Sequence, residues 1–212
     1  DGAVLVGKFS HKECIATQLD CLYAIISQLP STLFTKSQPP LTKTHIEQLW
    51  YHLIINPLTN QERQKAYAWF NKFIVVNNTT RKPTIVSSLP YDLVSCIFSP
   101  LCFDHKEFEF SQMMNSKTAF TCFKHYFLLL NLHSKAIALI PSNSNDSSSV
   151  EFEVINFNTI QGEELLWRCA LRAHEDYVAE SSAHLLTSLY TKVTPNKAIT
   201  IYLDTNDRVF CM

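Results

Sequence analysis

Apolar residues return at three- and four-residue steps along most of the chain, the spacing that lines up one face of a helix. In HKECIATQLDCLYAIISQL, residues 11–29, the stripe is Ile15, Leu19, Leu22 and Ile26, and Pro30 stops it. STLFTKSQPP reads as a linker, because Pro39-Pro40 cannot be helical. A second helix is predicted from Thr42 to Ile55, with Ile46, Leu49, Trp50 and Leu53 on one side and Asn56-Pro57 as its end. A third follows over 60–76, where Asn60 caps the first turn and Ala66, Trp69, Phe70 and Phe73 form the stripe.

NNTTRKP is a second polar break. SSLPYDLVSCIFSPL then predicts a short helix from about Ser88, with Pro90 tolerated in its first turn. Two more helices are predicted at 105–114 and 116–133. The second is capped by Ser116 and is apolar nearly all round, so it is expected to be central. PSNSNDSSS, 141–149, has the composition of a disordered loop. EFEVINFNTI alternates briefly and fits a short strand or an extended connector equally, since no partner strand is visible. The last two helices are predicted over 162–173 and 176–192, with Asp176 as the cap between them.

The fold class is therefore all-α. A weak repeat is present: Glu47-Gln48-Leu49-Trp50 opens one helix pair and Glu164-Leu165-Leu166-Trp167 another. Helix pairs of this kind suit an irregular armadillo/HEAT-like α-solenoid, whose units run about 40–47 residues. An irregular bundle is the alternative. The expected organisation is one helical-repeat region over 1–212. It comprises first helical units at 11–76, middle helices at 84–140, a loop and connector at 141–160, a terminal helix pair at 161–193 and an unassigned tail at 194–212.

Composition narrows the chemistry. Glycine occurs only at Gly2, Gly7 and Gly162, which nearly excludes phosphate-cradling loops and Rossmann turns. The formal net charge is −1 and the longest basic run is Arg81-Lys82, so no nucleic-acid partner is expected. No apolar run reaches the ~20 residues needed to cross a bilayer, and no membrane partner is expected. The seven cysteines are odd in number and lack a CxxC pair, which points to reduced thiols in the cytosol or nucleus. The glycosylation sequons at 77–80 and 145–147 read as chance matches in polar loops. The chain opens at Asp1 without an initiator methionine, and is expected to be a fragment of something larger.

Within LWRCALRAHEDYVAESSAHLLTSLYTKV, Cys169, His174 and Asp176 are the side-chain types of a thiol protease. On a continuous helix, however, Cys169 and His174 lie about 140° apart. A reactive cysteine also needs a helix N-terminus or a cation to lower its pKa. The three read instead as a core thiol near Trp167 and Leu171, a turn residue and a helix cap. His45 and His52, like Cys14 and Cys21, are seven apart and read as packing or surface positions. Glu107 and Glu109 flank Phe108 and point to different faces, unlike a paired-carboxylate site. No catalytic, cofactor-binding or metal-ligating residue is expected, and no cofactor.

Three segments in order, IEQLWYHLI (46–54), AYAWFNKF (66–73) and LLWRCALRAHEDYVAESSAHLLTSLYTKV (165–193), carry a family resemblance. They resemble the helical, non-catalytic region of the very large fat facets-like ubiquitin-specific proteases. The matching positions of the last segment are Leu166, Trp167, Arg168, Asp176, Val178, Ala179, Leu185, Leu186, Tyr190 and Thr191. Residues 77–160 match in pattern only, and the Ser/Asn loop and tail match nothing. The resemblance implies a parent cysteine-type deubiquitinase whose catalytic box, ending in Thr-Cys-Tyr, and whose Gly-His-Tyr region do not occur here. It implies that this piece is an armadillo-like scaffold for protein–protein interaction. Its partners would be protein substrates or adaptors of the parent, ubiquitinated proteins among them, in the cytoplasm and also the nucleus. The competing readings are a helical adaptor unrelated to ubiquitin and a cysteine hydrolase using Cys169 with a distant histidine.

Overall fold

The computed structural model describes residues 5–6, 9–28, 41–77, 83–102, 115–140 and 150–193, and among them the chain is predominantly helical. The chain divides into two compact units, Asp1–Val75 with Ser87–Tyr126 and Val76–Val86 with Phe127–Met212.

In the first unit, a two-residue ladder of β1 (Leu5–Val6) and β2 (Phe9–Ser10) leads into α1 (His11–Gln28). α2 (Lys43–Trp50) continues into a π-helical turn, Tyr51–Ile55, and is followed by α3 (Asn60–Asn71) and α4 (Tyr91–Cys102). α2 starts at a capping box in which His45 takes the place usually held by glutamate. The Thr42 hydroxyl accepts from the His45 amide at 3.3 Å, and His45 Nδ1 accepts from the Thr42 amide at 3.3 Å. The cap of α3 is Thr59, not Asn60. Thr59 Oγ1 accepts from the Glu62 amide at 3.2 Å, and Glu62 Oε2 accepts from the amides of Leu58 and Thr59. A threonine with glutamate three residues on satisfies two helix-end donors at once, which outweighs a lone asparagine cap.

The buried face of α2 runs Ile46, Trp50, Ile54, with Leu53 only half-buried. The wide π turn brings the fourth residue rather than the third back to the same side, so Ile54 takes the place expected for Leu53. Trp50 packs edge-to-face on Tyr67 and tilted on Phe70, with ring centroids 6.0 and 5.2 Å apart. α1 is tied to α3 by polar bonds as well as packing. Trp69 Nε1–H donates to the Leu19 carbonyl at 2.6 Å, the Tyr23 hydroxyl donates to the Lys72 carbonyl at 3.1 Å, and Lys72 pairs with Asp20 at 2.5 Å. The predicted stripe Ala66, Trp69, Phe70, Phe73 is fully buried. α3 nonetheless ends five residues before 76, because the β-branched run Ile74-Val75-Val76 takes up β3 (Ile74–Asn77), paired with β4 (Thr84–Ser87).

α5 (Lys117–His133) starts at Ser116, whose hydroxyl accepts from the Ala119 amide at 3.2 Å. Its apolar run is buried on almost every side, from Ala119 through Leu130. Lys135 closes it in the left-handed conformation at φ 59°, a place more often held by glycine. In the second unit, β5 (Ile137–Ile140) and β6 (Glu151–Val154) form an antiparallel pair with Ile137 opposite Val154. EFEV is therefore a strand, and IALI, placed among the middle helices from sequence, is its partner. α6 (Glu163–Arg172) and α7 (Asp176–Thr191) follow, packed on each other. Asp176 is the first helical residue of α7 and Glu175 precedes it as the cap position, without a side-chain capping bond. The acid still sits in the first turn, where it favours the helix dipole.

The predicted helix at 105–114, the loop 141–149 and the tail 194–212 lie outside the described residues. Among those described, no helix is long and apolar enough to cross a membrane.

Candidate functional site

α6 begins after Gly162, which adopts φ 84°, and its three buried positions are Leu165, Leu166 and Cys169. On a helical wheel these fall on one arc and Trp167, Leu171 and Glu164 on the opposite, exposed one, while Arg172 is exposed at the helix end, on the edge of the buried arc beside Leu165. Cys169 is completely inaccessible at 0% exposure. Burial pushes its thiol up to about 12; a hydrogen bond with Ser182 of α7 and the Arg168 charge oppose that only in part. His174 and Asp176 are both on the surface. Burial and the raised thiol both oppose nucleophilic chemistry at Cys169, since the side chain is held protonated and closed to a carbonyl substrate. Trp167 and Leu171 do not surround that thiol in the core, as the sequence suggested, but face solvent.

A second thiol–imidazole–amide grouping escaped sequence reading. His125 Nδ1 lies 2.7 Å from Asn71 Oδ1 across 54 residues of chain, and Cys122 is one turn earlier on α5. An amide oxygen only accepts, so Nδ1 carries a proton and donates. Desolvation first, and the Lys124 charge second, bring His125 down to about 4. Burial raises the Cys122 thiol far above its ordinary range. The His125–Asn71 bond ties α3 to α5, and the Cys122 thiol one turn earlier is buried and held protonated. Only the distance in space reveals it, since nothing local links 71 to 125.

The other candidates separate. His45 is occupied in the α2 cap, and His52 is exposed with its ring against Tyr51. Cys14 is half-buried and Cys21 exposed on α1. Glu107, Glu109 and the residues of the second sequon lie outside the described residues. Among the described residues, no three His, Cys, Asp or Glu side chains gather where a metal could be held. A groove of about 230 Å³ lies between α1 and α3, floored by Leu19, Ala68 and Trp69. The indole N–H in it is already bonded to Leu19, and Lys72 to Asp20.

The feature that does stand out is the outer face of α6. Trp167 is 41% exposed and Leu171, one turn on, is 68% exposed. Trp167 is not loose. Its Nε1–H donates to Glu163 Oε1 at 3.3 Å, and the same oxygen accepts from the Tyr190 hydroxyl. The Trp167 and Tyr190 rings are 6.0 Å apart, and Tyr190 in turn packs on Phe157 at 5.0 Å. No family model, curated protein or solved structure matches the chain. The geometry itself must therefore carry the functional argument: an aromatic residue braced for display, on a helix whose one thiol is sealed beneath it.

Proposed function

We propose that the chain is a non-catalytic helical scaffold region of a large cysteine-type ubiquitin-specific protease, in which armadillo-like helix pairs serve protein–protein interaction. The supporting observation is the division of labour in α6: Cys169 is buried and protonated, while Trp167 and Leu171 are displayed. The resembling segment contributes packing and surface, and none of the protease chemistry that its residue types suggest. The partners are protein substrates or adaptors of the parent, and the compartment is the cytoplasm or nucleus.

Two measurements test this reading. The chain alone is expected not to hydrolyse ubiquitin–rhodamine; hydrolysis that a Cys169→Ser change abolishes would overturn the non-catalytic assignment. The transcript around this coding segment is expected to encode a ubiquitin-protease catalytic box. A complete reading frame without one leaves an adaptor unrelated to ubiquitin in its place.

A further inference from the structure

We propose that the free edge of β5 is the seat of residues 199–203 of this same chain, which join the β5–β6 pair as a further strand parallel to β5. The inference concerns the second unit alone and does not depend on the scaffold reading.

β5 pairs with β6 on one side, and among the described residues no strand lies on the other. The hydrogen bonds show which groups face out. Ile155 N–H donates to the Ala136 carbonyl at 2.8 Å, whereas Val154 N–H turns away from β5 and donates to the Lys192 carbonyl at 2.7 Å. Ile137 and Val154 therefore face each other at a site without ladder bonds, and by alternation so do Leu139 and Phe152. The N–H and C=O groups of Ile137 and Leu139 thus point away from β6, and among the described residues they bond to nothing. Free strand edges are ordinarily blunted by lysine, proline or a bulge. β5, Ile-Ala-Leu-Ile, has none of these, and Ala138, Leu139 and Ile140 are only half-buried.

Sequence and tether choose the occupant. Ile199-Thr200-Ile201-Tyr202-Leu203, outside the described residues, has the alternating, β-branched and aromatic pattern of a strand, and the turn-forming Asp204-Thr205-Asn206-Asp207 follows it. Setting Ile199 beside Ile137 and Ile201 beside Leu139 extends the face that Ile137, Phe152 and Val154 bury. In that parallel register the N–H groups of Ile137 and Leu139 donate to the carbonyls of Ala198 and Thr200, and the N–H groups of Thr200 and Tyr202 donate back. None of these positions is proline. Val193 is bridged in parallel to Val154, on the side of β6 away from β5, so the seat lies three strand spacings, about 14 Å, across the sheet. The six residue steps from Val193 to Ile199 reach at most about 20 Å. Pro195 cannot donate to a continued β6 ladder, and a segment returning from Val193 enters at the Ile137 end of β5, hence parallel to it.

The test is amide hydrogen exchange of the full chain, read by NMR at Ile137 and Leu139. Both amides are expected to be protected at least a hundredfold. Thr200→Pro, which removes a bonding N–H, is expected to speed both at least tenfold, and Thr200→Ala, which keeps the backbone groups, to leave them protected. The amides of Ala138 and Ile140 point toward β6 and are the internal control, expected to stay slow in every variant. If Thr200→Pro exposes them too, Ile201→Asn gives the same reading from a side chain alone. Rapid exchange at Ile137 and Leu139 in the parent overturns the proposal. So does protection that both tail variants leave unchanged, which marks another segment on the edge, and protection that fades on hundredfold dilution, which marks a second copy. None of these outcomes bears on ubiquitin–rhodamine hydrolysis, so the scaffold reading stands or falls separately.

Discussion

Asn131 offers the most direct test of how the second unit fixes the orientation of α6. The side chain is fully buried on α5, and both ends of its amide are used. Nδ2 donates to the Gln161 carbonyl at 3.0 Å and to the Phe127 carbonyl at 2.9 Å, while Oδ1 accepts from the Gln161 amide at 2.8 Å. One amide thus mimics a strand partner for the residue just before Gly162. Asn131→Leu keeps the approximate volume and removes this clamp. The Phe127 carbonyl retains its helical bond, but the Gln161 N–H and C=O are left short, at about 1–3 kcal/mol each. Burying leucine returns about 1.5–2 kcal/mol of that total of about 2–6, so the net loss centres on about 2 kcal/mol. Asn131→Asp is worse at neutral pH, because a carboxylate then faces two carbonyl oxygens in a dry site. Its native pKa is raised, so the folded state binds the proton more tightly than the unfolded state does. The extra penalty is absent below the unfolded pKa of about 3.9 and grows as pH rises through the native value. Urea unfolding gives the global effect, and hydrogen exchange at the Gln161 amide the local one, expected to speed up by roughly 10- to 100-fold in Asn131→Leu. If the leucine variant is as stable as the parent and the Gln161 amide stays protected, the clamp contributes nothing and the reasoning fails.

Three further outcomes follow from the same structure. Trp50 Nε1–H is buried without a partner, whereas Trp69 Nε1–H is bonded to Leu19, so Trp69→Phe should cost about 2–4 kcal/mol more than Trp50→Phe in urea unfolding; equal costs refute the distinction. His125 titrates near 4 when folded and about 6.5 when unfolded, so it contributes about 3 kcal/mol that is fully present above pH 6.5 and lost as pH falls toward 4. His125→Gln should therefore lose less stability between pH 7.5 and 4.5 than the parent, and parallel losses count against the assignment. An aromatic disulfide reagent at pH 7.5 should label Cys21 at least a hundredfold faster than Cys169, as mass spectrometry of digests will show; comparable rates contradict the burial of Cys169.

The helices were legible because their buried faces repeat in register: Ala66, Trp69, Phe70 and Phe73 can be picked out by spacing alone. What spacing cannot supply is a partner far along the chain. β5 and β6 are four residues each and are separated by a polar stretch, so neither looks like half of a hairpin until both are placed. The π turn at Tyr51–Ile55 is likewise silent in sequence, and it moved a core position from Leu53 to Ile54. The α6 segment LLWRCAL is apolar at almost every position, so periodicity identifies a helix without choosing which side faces inward. That is why spacing alone sets Trp167 beside the buried thiol, and why its bond to Glu163 and its tilted contact with Tyr190 are visible only in space.

The choice of face is made outside α6 itself. Asn131 fixes Gln161, Gly162 turns the chain through a left-handed conformation that a β-carbon would disfavour by about 1–2 kcal/mol, and α6 starts in the direction that turn allows. Leu165, Leu166 and Cys169 then fall against α7, with the thiol beside Ser182. A helix whose apolar residues spread over more than half its circumference is thereby committed to one inner face, leaving Trp167 and Leu171 outside. Catalysis at Cys169 would require turning the helix by roughly half a revolution, which would bury Glu164 and break the Glu163–Tyr190 bond. Display of Trp167 and sequestration of the thiol are thus two consequences of a single packing decision, taken at Gln161 and Gly162.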